Sequence, residues 1–458
     1  MTNLMEAYKK RLAVAESVYA KSHNGEQMSN TRKLITAVTL QNVNKFLSEA
    51  FENSTGTQRA DMGLFRKFCL NLTNLAVPTL ITPDLVMVHP MTSMSGYVAY
   101  LKITAGTNKG ETEQGELINS PFQLGKVDRD YTSAAVAEKA TAFSETIGSA
   151  TVVFLQTAWF PVYNGDDAKS KLQVLDATTG TAVTVVIDEA NSNFTTGKIA
   201  FTSGVTSGTE YRVKYVYNNV IIPQNDLPIV NAEMDSIPLI AKARRVAIYY
   251  SNLAAFQAKT DYGYDLGETL ATQAVARLNY EIDSETVHLL AEGADQNDDA
   301  KSALTELTWS KTLPVGVNKA DHFAGFAEIL DQAGRIIYDR TRRFRPTYVI
   351  IASSILPVLR FVPGFTAAPA SKVNGPYFAG TCDGLKVFVS PEFTDGEFVC
   401  GVNGEDLGTS AAVFAPYMVV TPTQLLGYAD GGMSQGFSTL YDLKLLNPLL
   451  LVKGKVIA

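Results

Sequence analysis

Apolar positions change their period along this chain, and each change marks a different kind of element. In residues 1–80 they recur at helical spacing. Met5, Leu12 and Tyr19 lie seven apart, and Leu34, Val38, Val43, Phe46 and Leu47 fall on one helical face. Polar breaks at 22–30 and 54–57 interrupt the pattern. Helices this thinly apolar bury little on themselves, so the segment reads as an arm that packs on another surface. Residues 86–101, VMVHPMTSMSGYVAYL, read instead as strand, turn and strand. Beyond them, 108–116 (NKGETEQGE) is polar and punctuated by glycine, which predicts a mobile loop tip. The flanks, 97–104 and 126–135, are expected to pair as one long hairpin.

Period-two patterns dominate the next stretch. Strands are predicted at 152–156, 172–176, 183–188, 198–202 and 211–217. Turn signals separate them at Asn164-Gly165, Thr179-Gly180, Thr196-Gly197 and Ser207-Gly208. In the last strand Tyr211, Val213, Tyr215 and Tyr217 alternate with Arg212, Lys214 and Val216. Short strands with regular turns predict a small inserted β-sandwich at 150–222.

Helical spacing returns at Leu266, Leu270, Ala274, Leu278 and Ile282, in steps of four. A helix over 253–290 would run roughly 55 Å at 1.5 Å per residue, with Gly263 and Gly267 as places to kink or split it. Residues 317–415 alternate between helix and strand. A helix at 322–338 ends in a basic tail, and a buried strand follows at 347–352. Ser353-Ser354 is expected to cap a short helix that stops at Pro363-Gly364, before strands at 385–390 and 397–402. Residues 412–458 read as closing strands.

Composition limits what such a chain does. Its 458 residues suit about two to four domains, and 46% hydrophobic with 19% charged is ordinary for a globular protein. A net charge of −7 argues against a dedicated nucleic-acid binder. Cys69, Cys382 and Cys400 are odd in number and form no CxxC pair, so buried small hydrophobes in a reducing compartment are expected. The N-terminal stretch lacks the form of a secretory signal, and runs such as 445–452 are far shorter than the ~20 apolar residues that span a bilayer. The expectation is a soluble protein with no membrane partner.

Candidate chemistry is sparse. His23, His89, His288 and His322 show no metal spacing, and His89 reads as a packed or turn histidine. The acidic loop 295–299 lacks the order of a calcium-binding loop. No phosphate loop, dinucleotide fingerprint or nucleophile elbow occurs. No cofactor, no metal and no catalytic residue is therefore expected, and the chain reads as not an enzyme. Arg335, Arg340, Arg342, Arg343 and Arg345 form the one dense basic cluster. Favourable charge at a helix C-terminus is the plain account; contact with a neighbouring subunit or packaged phosphate is the sharper one.

The parts in this order resemble the major capsid proteins of tailed bacteriophages, the HK97-fold proteins, and their T4-like branch in particular. The resemblance rests on Val86, Val88, Pro90, Met91, Thr92 and Gly96 as the entry to an extended loop. It rests also on Glu233 to Pro238 (EMDSIP) followed by Ala241 to Arg245 (AKARR), and on the helical run 249–290. It implies an α+β, HK97-like fold: N-terminal arm 1–83, E-loop with flanking P-domain strands 84–149, inserted β-sandwich 150–222, P-domain with a long spine helix 223–316, A-domain 317–415, and closing strands 416–458. Pro90 and Gly96 would aim the arm. Pro90, Met91, Gly96, Thr107, Lys109, Glu111, Glu113 and Glu116 would then make E-loop assembly contacts.

The function so implied is a major capsid protein of the virion, forming hexamers and pentamers of an icosahedral head around double-stranded DNA without sequence-specific contact. Its partners would be itself, portal and scaffold proteins, and a decoration protein, with assembly in the host cytoplasm. T4-like relatives lose an N-terminal piece to a protease that cuts after Glu. Leu47-Ser-Glu49 has that form, but the sequence begins at Met1, and the expectation is that the arm is kept. The alternatives are a tail or baseplate structural protein with an Ig-like insertion, and a hydrolase with a β-rich binding module. The first has no need of a spine helix. The second requires a catalytic constellation that the spacing does not supply.

Overall fold

The computed structural model describes residues 2–22, 27–52, 59–125, 131–163, 172–218, 227–295, 307–368, 375–404 and 408–457, and the chain divides into two compact units, 1–99 with 236–458, and 100–235. His23, the break at 54–57, the flank 126–130, the Asn164-Gly165 turn and positions 296–299 of the acidic loop lie outside the described residues.

The discontinuous unit holds two sheets and a layer of helices. Its larger sheet has seven strands in the order Thr308–Ser310, Leu451–Ile457, Glu397–Gly401, Tyr348–Ala352, Leu385–Ser390, Tyr377–Cys382 and Phe365–Ala367. Tyr348–Ala352 is buried at every position, as expected of a central strand with both faces covered. Ser353 and Ser354 do not cap the helix that follows. It starts after Ile355 with no side-chain cap, and Ser354 Oγ instead accepts from Gly396 N at 3.1 Å. The helix expected at 322–338 is two, Lys319–Ala324 and Phe326–Thr341, divided at Gly325.

The second sheet places Ala412–Pro422 between Met87–Val88 and Gly432–Leu445, with Lys242–Ser251 beyond. Leu266–Asp295, the spine helix, has 30 residues and so spans about 45 Å. Gly263, at φ 73°, separates it from Asn252–Asp261, so the expected single helix is split at the elbow. The spine buries Ala271, Leu278, Ile282 and Leu290 in the main core. Gly293 is the close-approach point, where a Cβ would meet Leu445 Cδ1 at 2.7 Å.

The N-terminal helices Lys9–Ser22, Asn30–Glu52 and Arg59–Thr79 pack on this body. Leu12 and Tyr19 are buried as their spacing predicts. In Asn30–Glu52 the buried apolar set is Ile35, Ala37, Val38, Leu40, Val43 and Leu47, whereas Leu34 is half-buried and Phe46 is exposed. That helix is covered on more than one side, which a single-stripe reading does not anticipate. Arg32 is buried and fastens it: Nη1 donates to the carbonyls of Pro78 and Leu80, and Nη2 meets Asp84 Oδ2 at 2.6 Å.

The second unit contains the sandwich. One sheet runs Val186–Asn193, Lys198–Ser203, Ala150–Gln156, Phe143–Ile147; the other runs Ala135–Thr141, Glu210–Tyr217, Gln173–Asp176, Ala182–Val183. Strands at 135–147 therefore pair inside the sandwich, ahead of the expected boundary at 150. Tyr211, Val213, Tyr215 and Tyr217 all face its core, as their alternation predicts. Tyr215 Oη donates to the buried Glu138 Oε1 at 2.8 Å, and Ala158 N donates to the same oxygen. Burial raises the Glu138 carboxyl above its ordinary range against these two bonds.

Candidate assembly surfaces

The loop root is fixed by its backbone. Met87–Val88 pairs in parallel with Val413 and Phe414. His89 N donates to Phe414 O and Met91 N to Pro416 O, while Asn42 Nδ2 donates to the carbonyls of Met91 and Tyr417. Met91 is buried against Val98, Leu239 and Val413. It anchors the root rather than offering a contact. Gly96 has no left-handed backbone, and a Cβ there would sit an ordinary 3.7 Å from Met91 Cε, so the structure gives it no steering role. His89 is half-buried, and burial lowers its pKa.

Of the expected partner 126–135, the described residues 131–135 do not form the long partner of Ser95–Ala105. That partner is Val230–Ile240, with Leu117–Asn119 on the other side. Two side-chain links explain the choice: Lys102 Nζ meets Glu233 Oε2 at 3.0 Å, and Tyr100 Oη donates to Asp235 Oδ2 at 3.0 Å. The strand Ala135–Thr141 is taken by Glu210–Tyr217, where its Val136 and Ala140 enter the sandwich core. The ribbon left by 95–105 and 230–240 is exposed along most of its length, with Met234 at 79% and Tyr97 at 72%.

The loop tip is ordered by an internal lysine. Lys109 and Thr112 exchange backbone hydrogen bonds around a two-residue turn, with Gly110 at φ 63°. Lys109 itself is 2% exposed. Its Nζ donates to the carbonyls of Tyr131 and Ser133 and lies 5.1 Å from the Tyr217 ring centroid. A buried ammonium is tolerable here because carbonyl oxygens and an aromatic face replace its water. Thr107 bonds Tyr131 Oη, and Glu111 pairs with Arg212 at 3.0 Å. Of the expected E-loop contacts, Lys109 thus holds the loop on the sandwich rather than reaching outward. Glu113 stays exposed, and Glu116 is half-buried and accepts from Glu113 N. Sequence reasoning missed Tyr131 and Val230–Ile240. The alternation of Glu233 and Asp235 opposite Tyr100 and Lys102 was the signal for the latter.

The arginine cluster sits where expected, at the end of Phe326–Thr341. Arg335, Arg342, Arg343 and Arg345 are exposed, and Arg340 is half-buried. Among the described residues no group of His, Cys, Asp or Glu is arranged to hold a metal ion. No helix is long and apolar enough to cross a membrane. The three cysteines are buried and free, and desolvation pushes the Cys69 and Cys400 thiols up to about 12.

A mixed wide sheet braced by a long helix, an N-terminal helical layer and an extended, exposed pair of strands are the parts that the capsid-protein resemblance implies. The chain belongs to the major capsid protein Gp23 family, whose sequence model matches residues 62–456. It is accordingly a structural protein of the virion capsid that assembles with its own copies into the shell of an icosahedral head. Similar solved structures include a chain from Mycobacterium phage Che8, at 13% identity, covering 49% of this chain and 74% of that one with a TM-score of 0.30. Another is the capsid of Myoviridae phage XM1, at 7% identity, covering 68% and 97% with a TM-score of 0.33. No curated protein matches the chain.

Proposed function

We propose that this subunit forms hexamers and pentamers through head-to-tail contacts, with its exposed ribbon lying across a neighbour. The observation that carries this is the apolar surface of the ribbon: Tyr97, Leu101, Met234 and Ile240 are all exposed on two paired strands. A monomer has no use for such a surface, and a neighbouring subunit would bury it. On this reading residues 84–149 are the E-loop with its flanking strands, 223–316 the P-domain and 317–415 the A-domain. Glu113, exposed at the loop tip, would face a neighbour, whereas Thr107 is engaged by Tyr131 and Ile229 within the subunit. Portal, scaffold and decoration proteins would be its other partners, and double-stranded DNA would be enclosed without sequence-specific contact. Assembly would take place in the host cytoplasm. The N-terminal arm would be retained, because Glu49 lies within Asn30–Glu52 and cleavage there requires that helix to unwind.

The test is Met234→Asp combined with Tyr97→Asp. Circular dichroism should show folded subunits, and negative-stain images should show no closed shells. Folded variants that build shells as well as the parent would refute the reading.

A further inference from the structure

Two exposed surfaces of the discontinuous unit have matching chemistry and no ion-pair partner among the described residues. The first surrounds the elbow before the spine helix. Tyr262 is 75% exposed, Tyr264 is exposed beside it, and Phe256 is exposed on the helix that leads to them. Exposed Asp261 and Glu268 flank the aromatics. Gly263, at φ 73°, makes the sharp turn that presents Tyr262 and Tyr264 side by side, with ring centroids 6.1 Å apart.

The second surface is the end of Phe326–Thr341. Arg335, Tyr338 and Arg342 follow at helical spacing, so they lie on one exposed face. Arg342 takes a left-handed conformation, φ 54°, that glycine or asparagine would adopt at lower cost. The backbone beyond it is fixed, since Arg343 N and Phe344 N both donate to Thr341 Oγ1. The turn leaves Arg342 exposed, and it sets the Arg343 guanidinium, also exposed, 5.3 Å from the Phe344 ring centroid. Among the described residues none of Arg335, Arg342, Arg343 and Arg345 forms an ion pair, and neither do Asp261 and Glu268.

We propose that the arginine face of one subunit docks on the tyrosine elbow of a second copy of this chain. Guanidinium groups stack on aromatic faces and pair with carboxylates in planar geometry, which is what the elbow presents. The two surfaces differ, so the contact is heterologous, the kind that closes into rings. Packaged DNA is the weaker partner for the arginines. Exposed Asp331 and Asp339 interrupt the same helix, and the chain carries a net charge of −7. The inference rests on shell assembly itself and adds which faces meet.

A charge-swap experiment on the full chain tests it. Arg342→Glu with Arg343→Glu, and separately Asp261→Arg with Glu268→Arg, should each lower shell yield at least about tenfold by sedimentation and negative-stain imaging. Circular dichroism should show both sets of subunits folded. Combining the two sets should restore yield to within about threefold of the parent. Unaffected yield in either set overturns the pairing, as does loss that the combination fails to restore. Normal shells from the arginine variant that fail to retain double-stranded DNA overturn it in favour of a nucleic-acid role. A parent chain that forms no closed shell overturns the shell reading and this pairing together, whereas parent shells with indifferent variants overturn only the pairing.

Discussion

Asp283→Ala should unfasten the N-terminal layer from the spine helix. Asp283 is buried in the middle of the spine and accepts from Ile81 N at 3.1 Å, Thr82 N at 2.9 Å and Thr82 Oγ1 at 2.7 Å. Truncation leaves the amides of Ile81 and Thr82 buried without an acceptor, at roughly 1–3 kcal/mol each, whereas the Thr82 hydroxyl keeps Thr286 Oγ1 at 3.0 Å. Against that loss, burial raises the carboxyl from 3.8 to about 6 despite the bonds from Thr82 and Ile81 and the charge of Arg32. At neutral pH the ionised group therefore costs up to about 3 kcal/mol relative to the unfolded chain, and alanine is relieved of that. The balance predicts a net loss of about 1 kcal/mol at pH ~7 for Asp283→Ala. Asp283→Asn keeps an acceptor and carries no charge, so it should fall within about 1 kcal/mol of the parent.

The same shift fixes a pH dependence. The folded state binds this proton more tightly than the unfolded chain does. The contribution is fully present below about pH 3.8 and is lost as pH rises through about 6. Urea denaturation of unassembled subunits, followed by circular dichroism from about pH 4 to 7.5, measures it. Parent stability minus that of Asp283→Asn should decline across this range. A difference that grows with pH would refute the reasoning.

Two further predictions concern packing. Lys109→Met should cost the sandwich unit about 2–4 kcal/mol, because the carbonyls of Tyr131 and Ser133 lose their donor; hydrogen exchange at 107–116 and 131–135 should accelerate, and unchanged protection would contradict the lysine's fastening role. Gly454→Ala puts a Cβ within 2.3 Å of Phe398 Cζ, on a ring that is fully buried in the seven-stranded sheet. It should cost about 1–3 kcal/mol and lower the melting temperature by several degrees, so an unshifted melt would show that the ring has room to move.

The sequence carried the element types well wherever one face was buried and the other wet. The tyrosine strand at 210–217 and the buried strand at 348–352 were both legible for that reason. Pairing was less legible. Which strand meets 95–105 depends on Glu233 and Asp235, more than a hundred residues away in sequence, and nearest-neighbour reasoning favours a local hairpin. The loop tip misled for a related cause. Its polar composition suggested mobility, yet one lysine found carbonyls and an aromatic face to replace solvent. Arg32 was hidden likewise, since a charged side chain in a surface-like helix gives no sign that helix-end carbonyls await it.

The strand order of the large sheet bears on synthesis. Leu451–Ile457 is the last described strand, yet it lies between Thr308–Ser310 and Glu397–Gly401 rather than at an edge. The sandwich unit, 100–235, is continuous in sequence and can fold as soon as it emerges from the ribosome. The sheet that organises the rest stays open until residue 457 is made. A nascent or prematurely terminated chain exposes an unfilled internal slot and cannot present finished docking faces. The fold thereby couples completion of the large sheet to its strand at 451–457.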